Sequence, residues 1–260
     1  MSLYCNGRPA TVEDLGPALT NYGHFTSLQV RDDAVQGLAL HLARLRQGSA
    51  ALFGADNDDA QLLGWLRAAL DAADVGNASL RITQYSRQFD FRHPARAVPV
   101  DVLIAVSAPV TAALAPRRLR AVCAQRELPH LKHVGTFGLF QHRREALAAG
   151  FDDALLVAAD GTISEGTTWN IAFWDGAQLV WPDAPALRGT HEQLLQAGWG
   201  AAQRREPVHL DGLGAFSAAI ACNASGVWPV ASIDAVGFSG SVALCNQARK
   251  VLAQAPWERL

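Results

Sequence analysis

At 260 residues, half of them apolar and with a formal net charge of −2, the chain has the material for one large or two modest cores. That charge balance gives no basic footprint for nucleic acid, and no apolar run approaches the ~20 residues of a membrane span. Four scattered cysteines without a C-x-x-C, and eight histidines without an H-x-x-x-H or H-E-x-x-H pair, exclude a disulfide framework and a zinc site.

The opening MSLYCNGRPATVEDLG lacks a charged-then-apolar leader pattern, and unpaired thiols suit a reducing compartment, so the expected location is the cytoplasm. FTSLQVRD (residues 25–32) alternates and is rich in β-formers, which predicts a strand. A turn at Asp32-Asp33 leads into a short second strand. Leucines at helical spacing predict a helix over residues 37–53, stopped near Gly54, and QLLGWLRAALDAA predicts another over 61–73. SLRITQY and VPVDVLIAVSA read as strands around a polar loop, SRQFDFRHPARA.

PVTAALAPR, residues 109–117, has prolines at or near its ends and little periodicity, and is read as a linker between domains at 1–108 and 118–260. The second half opens with the strand LRAVCAQ, and FGLFQHRREALAAG is a helix ending at Gly150. Asp160-Gly161 and Asp175-Gly176 each divide two strands, because Asp-Gly tolerates the positive φ of a tight hairpin. A helix then follows Gly189. After it come the strands PVHL, AAIACN and VWPVASID and a final helix over residues 239–255. The expected fold class is α+β in two domains, each a sheet packed with helices, the second richer in antiparallel strands.

Arginine occurs twenty times and lysine twice. Where only a cation is needed, arginine serves. Lysine alone can lose its proton and attack a carbonyl to form a Schiff base. Lys250 falls on the final amphipathic helix and reads as a solvated charge. Lys132, in LPHLKHVGTFG, is the candidate nucleophile. Glu165, in TISEGTTWN, is an acid among β-formers, read as a strand-end carboxylate or a functional one. Gly189 and Thr190 open a helix whose free N–H groups make either a plain cap or a phosphate site. Arg44, in HLARLR, lies on a charged helix face or grips a phosphate.

The order of these features resembles the class IV aminotransferases. These are pyridoxal-phosphate enzymes of fold type IV, among them branched-chain and D-amino-acid aminotransferases and aminodeoxychorismate lyase. NYGHFTSLQV is similar to the family's opening strand, HLARL to its phosphate-arginine helix and CNASGVWPV to its last phosphate-contacting turn. The stretch from Lys132 to Asn170 is the most specific part. The resemblance implies pyridoxal 5'-phosphate as cofactor, held by Lys132 as a Schiff base, with Glu165 on the pyridine nitrogen. It further implies phosphate contacts from Arg44, Gly189, Thr190, His191, Asn223 and Ala224, substrate contacts from Phe25, Thr26 and Arg92, small amino and keto acids as partners, and a homodimer. An aminotransferase is the leading expectation. A lyase of the aminodeoxychorismate type is the alternative, and a non-catalytic binder of the cofactor is the reading from another class. Departures leave the cofactor apparatus in place and bear on the substrate: Gly135 and Thr136 follow the lysine where relatives carry Asn and often an aromatic or Arg, Arg188 replaces a proline, and Thr26 stands where relatives often carry Glu. His191, where threonine is common, costs one hydroxyl.

Overall fold

The structure is a computed structural model and describes residues 1–16, 20–55 and 58–260. The chain divides into two compact units. One comprises Met1–Val110, Leu131–Gly135 and Pro256–Leu260; the other comprises Thr111–His130 and Thr136–Ala255. The segment that carries Lys132 therefore groups with the first unit.

The first unit begins with β1 (Ser2–Cys5) and β2 (Arg8–Pro9). Asn6 and Gly7 between them both have positive φ, which a two-residue hairpin demands. This hairpin lies outside the elements expected from sequence. The short helix α1 (Val12–Leu15) precedes β3 (His24–Arg31) and β4 (Ala34–Gln36), which are joined through Asp32 and Asp33, again at positive φ. Then come α2 (Leu38–Phe53), α3 (Asp59–Ala73), β5 (Ala78–Tyr85) and β6 (Asp101–Ser107).

Every pairing described in this sheet is antiparallel, with β3 and β5 at its centre and the last strand of the chain, Trp257–Arg259, at the β4 edge. Its buried face meets α2 and α3 through Leu28, Val30, Leu45, Leu66, Leu80 and Ile104. Each such side chain contributes about 1.5–3 kcal/mol by leaving water.

The second unit carries β7 (Arg117–Cys123), α4 (Phe137–Ala148), β8 (Asp153–Val157), β9 (Ile163–Gly166), β10 (Asn170–Trp174), β11 (Leu179–Pro182), α5 (Thr190–Gly198), β12 (Gln203–Glu206), β13 (Ala218–Asn223), β14 (Gly226–Ile233), β15 (Val236–Gly237) and α6 (Ser241–Gln254). This sheet is mixed: β7 pairs parallel with β8 and β14, and β11 with β12. The expectation that the second half is the more antiparallel is thus corrected. The chain between β7 and β8 includes α4 and is long enough for the crossover that parallel strands require.

The expected strand PVHL is also corrected. The strand is Gln203–Glu206 and stops before Pro207, which has no N–H for the ladder. His209 then makes one bridge to Thr162, and a 3-10 helix spans Leu210–Ala215. One core cluster gathers Leu119, Ile163, Trp169, Phe173 and Trp228, and another seats α5 and α6 on the sheet through Leu195, Ile220, Leu244 and Ala248. Coverage of both faces explains why AAIACN reads as a continuous apolar run. Among the described residues no helix is long and apolar enough to cross a membrane.

Candidate active site

In the first unit, β3 sends alternate side chains to opposite faces. Phe25 and Ser27 pair with Thr83 and Arg81 of β5 and share one face with them. The Arg81 guanidinium sits 3.5 Å from the centre of the Phe25 ring, and Lys132 Nζ sits 4.9 Å from the same centre. Lys132 is placed there by its backbone. Its carbonyl accepts from Phe25 N at 2.8 Å, and Val134 N donates to Gly23 O at 2.9 Å. An isolated bridge joins His24 to His133. Protein packed around Arg81 lowers its guanidinium below the ordinary value, and no described charge offsets that cost.

The opposite face of β3 meets α2. Arg44 Nη1 donates to Thr26 Oγ1 at 3.5 Å, and Thr26 Oγ1 lies 2.7 Å from His41 Nδ1. Thr26 is buried, so its hydroxyl braces Arg44 from beneath the sheet. On the same face Ser49 Oγ donates to Gln84 Oε1 at 2.8 Å, which leaves His24 Nε2 to donate to Ser49 Oγ at 2.9 Å. Gly48 must be glycine here, because a Cβ would lie 2.4 Å from His24 Nδ1. Burial pushes the His24 imidazole down to about 4.

In the second unit, Glu165 is buried at the end of β9 and its Oε1 accepts from Leu187 N at 3.1 Å. Asn170 ties down the same segment from β10. Its Nδ2 donates to Leu187 O at 2.6 Å and its Oδ1 accepts from Gly189 N at 3.1 Å. A Cβ at Gly189 would fall 2.2 Å from that Oδ1, which explains the glycine.

Helix α5 then starts at Thr190, with Thr190 and His191 both buried. His191 Nδ1 is buried without a hydrogen-bond partner. Burial lowers this imidazole to about 4, against a hydrogen bond with the Asn223 backbone that acts to raise it. Asn223 Oδ1 accepts from Ser225 N at 2.9 Å, and Asn223 Nδ2 donates to Thr168 O at 3.4 Å. This holds the β13–β14 turn that contains Ala224.

Within one unit the structure thus places Phe25 and Lys132 on one face of β3 and Thr26 and Arg44 on the other, and within the second unit it gathers Glu165, Gly189, Thr190, His191 and Asn223. Arg92 is exposed on its loop, with its guanidinium 4.7 Å from the centre of the Phe91 ring.

Three neighbours of these residues escape a reading along the chain. Arg81 shares the Phe25 face only because of the β3–β5 register. Arg126 is half-buried, and desolvation lowers it while the Glu165 carboxylate acts to raise it, so the two charges attract. Buried Asp153 accepts from Thr167 Oγ1 at 2.8 Å and Trp169 Nε1 at 3.0 Å, bracing the turn after Glu165. Along the chain that brace shows only as an acid opening an apolar strand.

The second-unit residues fit a phosphorylated pyridine cofactor. The start of α5 suits an anion, since first-turn N–H groups and the helix dipole both favour negative charge, and the partnerless His191 Nδ1 lies in that same turn. The buried Glu165 carboxylate suits a protonated ring nitrogen.

Comparison with known proteins agrees with this chemistry. The family model described as amino-transferase class IV matches residues 23–233. No curated protein sequence matches the chain. Among solved structures, the branched-chain amino acid aminotransferase of Thermobaculum terrenum, in its PLP form, is 17% identical with a TM-score of 0.83, covering 97% of this chain and 92% of that one. The branched-chain amino acid aminotransferase of Escherichia coli is 20% identical with a TM-score of 0.82, covering 98% and 92%. A Legionella pneumophila protein provisionally described as a 4-amino-4-deoxychorismate lyase is 17% identical with a TM-score of 0.81, covering 95% and 96%. These likenesses carry the fold, and the family match spans Phe25 through Asn223, taking in nearly every residue assembled above. The chain belongs to the class IV aminotransferases.

Proposed function

We propose that the protein is a pyridoxal-phosphate-dependent aminotransferase that moves an amino group between an amino acid and a keto acid. The observation that carries this reading is the short segment from Leu187 to His191. Its first N–H holds the Glu165 carboxylate, and its last residues open α5 beside the unpartnered His191 nitrogen. One stretch of backbone thereby serves both a ring-nitrogen partner and an anion site.

When bound, the cofactor supplies the electron sink for a substrate carbanion. Lys132 is the amine that would hold it covalently, and its Nζ, when free, would take the substrate Cα proton and return it. Glu165 keeps the ring nitrogen protonated, and Leu187 N–H keeps Glu165 in place. Thr190, the His191 backbone, Asn223 and Ala224 hold the phosphate with Gly189 at the helix start, and Arg44 adds a cation steadied by Thr26. We assign the substrate carboxylate to Arg81 rather than Arg92. Arg81 stands over Phe25 with Lys132 and has no described carboxylate partner, whereas Arg92 rests on its own loop.

A homodimer is part of this reading. It is supported by the resemblance and by apolar residues Phe137, Phe140 and Leu147 standing exposed on α4. A cytoplasmic location is supported by four cysteines that are all free thiols. The experiment is a panel of L- and D-amino donors, with aminodeoxychorismate included, mixed with the reconstituted protein. An aminotransferase bleaches the cofactor absorbance with an amino acid and regains it with a keto acid. Bleaching by no donor returns the protein to the class of mere binders, and turnover of aminodeoxychorismate alone makes it a lyase.

A further inference from the structure

Glu192 follows His191 in the first turn of α5 and is only 1% exposed. Its carboxylate is fully engaged. Oε1 accepts from Arg188 Nη1 at 3.3 Å, Arg205 Nη2 at 3.1 Å and Gln196 Nε2 at 3.1 Å, and Oε2 accepts from Gly189 N at 3.3 Å. The two arginines reach further. Each donates to Pro182 O at 3.4 Å, and Arg188 Nη2 donates to Ala184 O at 2.6 Å. One buried acid and two guanidinium groups therefore brace the chain from the end of β11 to the start of α5. Leu187, whose N–H holds Glu165, lies inside that braced stretch.

A buried carboxylate is costly unless paired, and here it stands in the turn where a phosphate is placed by the functional reading. On electrostatics alone it repels that phosphate. The two arginines reverse this, since two cations and one anion leave the cluster positive. The hydrogen bond to Gly189 N also occupies the outermost N–H, which directs an anion to the N–H groups of Thr190 and His191.

We propose that Glu192, held by Arg188 and Arg205, is a positioning residue. It touches neither substrate nor cofactor, but sets both the Leu187 N–H against Glu165 and the α5 N–H groups against the phosphate. The inference rests on the reading that pyridoxal phosphate binds at the α5 start.

The test uses the full-length protein with Glu192→Ala, Glu192→Gln and Arg205→Lys. Pyridoxal phosphate affinity is titrated, the pH dependence of the bound-cofactor absorbance is recorded, and apo melting is measured alongside. Glu192→Ala should bind the cofactor about tenfold more weakly or worse, the loss expected for one charge-assisted hydrogen bond to the phosphate. Its absorbance titration should shift, because Glu165 loses its fixed N–H. Glu192→Gln keeps the shape and should fall between wild type and Glu192→Ala, as should Arg205→Lys.

A purely electrostatic role predicts tighter binding in both Glu192 variants, and that result overturns the proposal. Lower apo melting with unchanged affinity and titration overturns it as well, leaving a stability role only. If Glu192→Ala does not fold, the other two variants decide, and wild-type values in both overturn the proposal. Failure of wild-type protein to bind pyridoxal phosphate overturns the functional reading and this inference together, whereas unaffected variants with a binding wild type overturn the inference alone.

Discussion

Two buried histidines should make the apo protein lose stability in acid at a pH where carboxylates are still ionised. His24 in the first unit and His191 in the second are each lowered from 6.5 to about 4, with burial as the main cause. The folded chain thus refuses a proton that the unfolded chain accepts. Stability is retained above the unfolded value and falls as pH drops from about 6.5 towards 4. At pH 5 an unfolded imidazole is almost fully protonated and either folded one only about a tenth. The difference removes roughly 2 kcal/mol per histidine between pH 7 and pH 5. Together this is a large part of the ~5–15 kcal/mol that holds a typical domain.

Urea unfolding of the apo protein at the two pH values measures the loss, and imidazole NMR titration assigns it. His191→Gln should remove about half of the pH-dependent loss. Bound phosphate should raise the His191 value and shrink its share, while His24 stays as it was. A His191 titration near 6.5 in the apo protein, or an unchanged pH dependence in His191→Gln, would rule out a buried neutral His191 as the source of the loss. Asp14 acts on a lower limb. Hydrogen bonds from Arg8 hold its carboxyl well below the usual range, so its stabilisation is lost only on further acidification.

Three substitutions probe the proposed roles. Glu165→Gln should retain cofactor but slow Cα proton removal by ~10²-fold or more, read in single-turnover absorbance, since an aimed charge is lost. Arg44→Ala should leave apo melting nearly unchanged and shrink the melting shift that pyridoxal phosphate gives, because a weaker ligand stabilises less by mass action. Gly189→Ala forces a Cβ against Asn170 Oδ1, so the apo protein should lose ~1–3 kcal/mol in urea unfolding and bind cofactor more weakly; wild-type behaviour would mean that the α5 start is not held as described.

Local pattern made most elements legible. Strand alternation reveals β3 and β5, leucine spacing reveals α2, and Asp160-Gly161 marks the turn between β8 and β9. The Asn6-Gly7 hairpin carried the same kind of turn signal but flanked very short strands, one of only two residues. Register is where reading along the chain stops. Arg81 joins Phe25 because Ser27 pairs with Arg81, and Lys132 reaches that face because its carbonyl accepts from Phe25 N. Neither contact leaves a trace in periodicity. Within the candidate site, Lys132 and Glu165 stood out by residue type and order, whereas the braces did not. Asn170, Asp153 and Glu192 act through backbone and buried partners distant in sequence, and as letters they look like ordinary polar residues.

The role of Lys132 as covalent anchor can be read from a trapped adduct. The protein is reconstituted with pyridoxal phosphate, reduced with borohydride, digested and mapped by mass spectrometry. The chain contains only two lysines, so the outcome is nearly binary. The reduced adduct is expected on the peptide containing Lys132, with none in Lys132→Ala or Lys132→Arg, because a guanidinium does not form the imine. An adduct on Lys250 with Lys132 unmodified would contradict the assignment of Lys132.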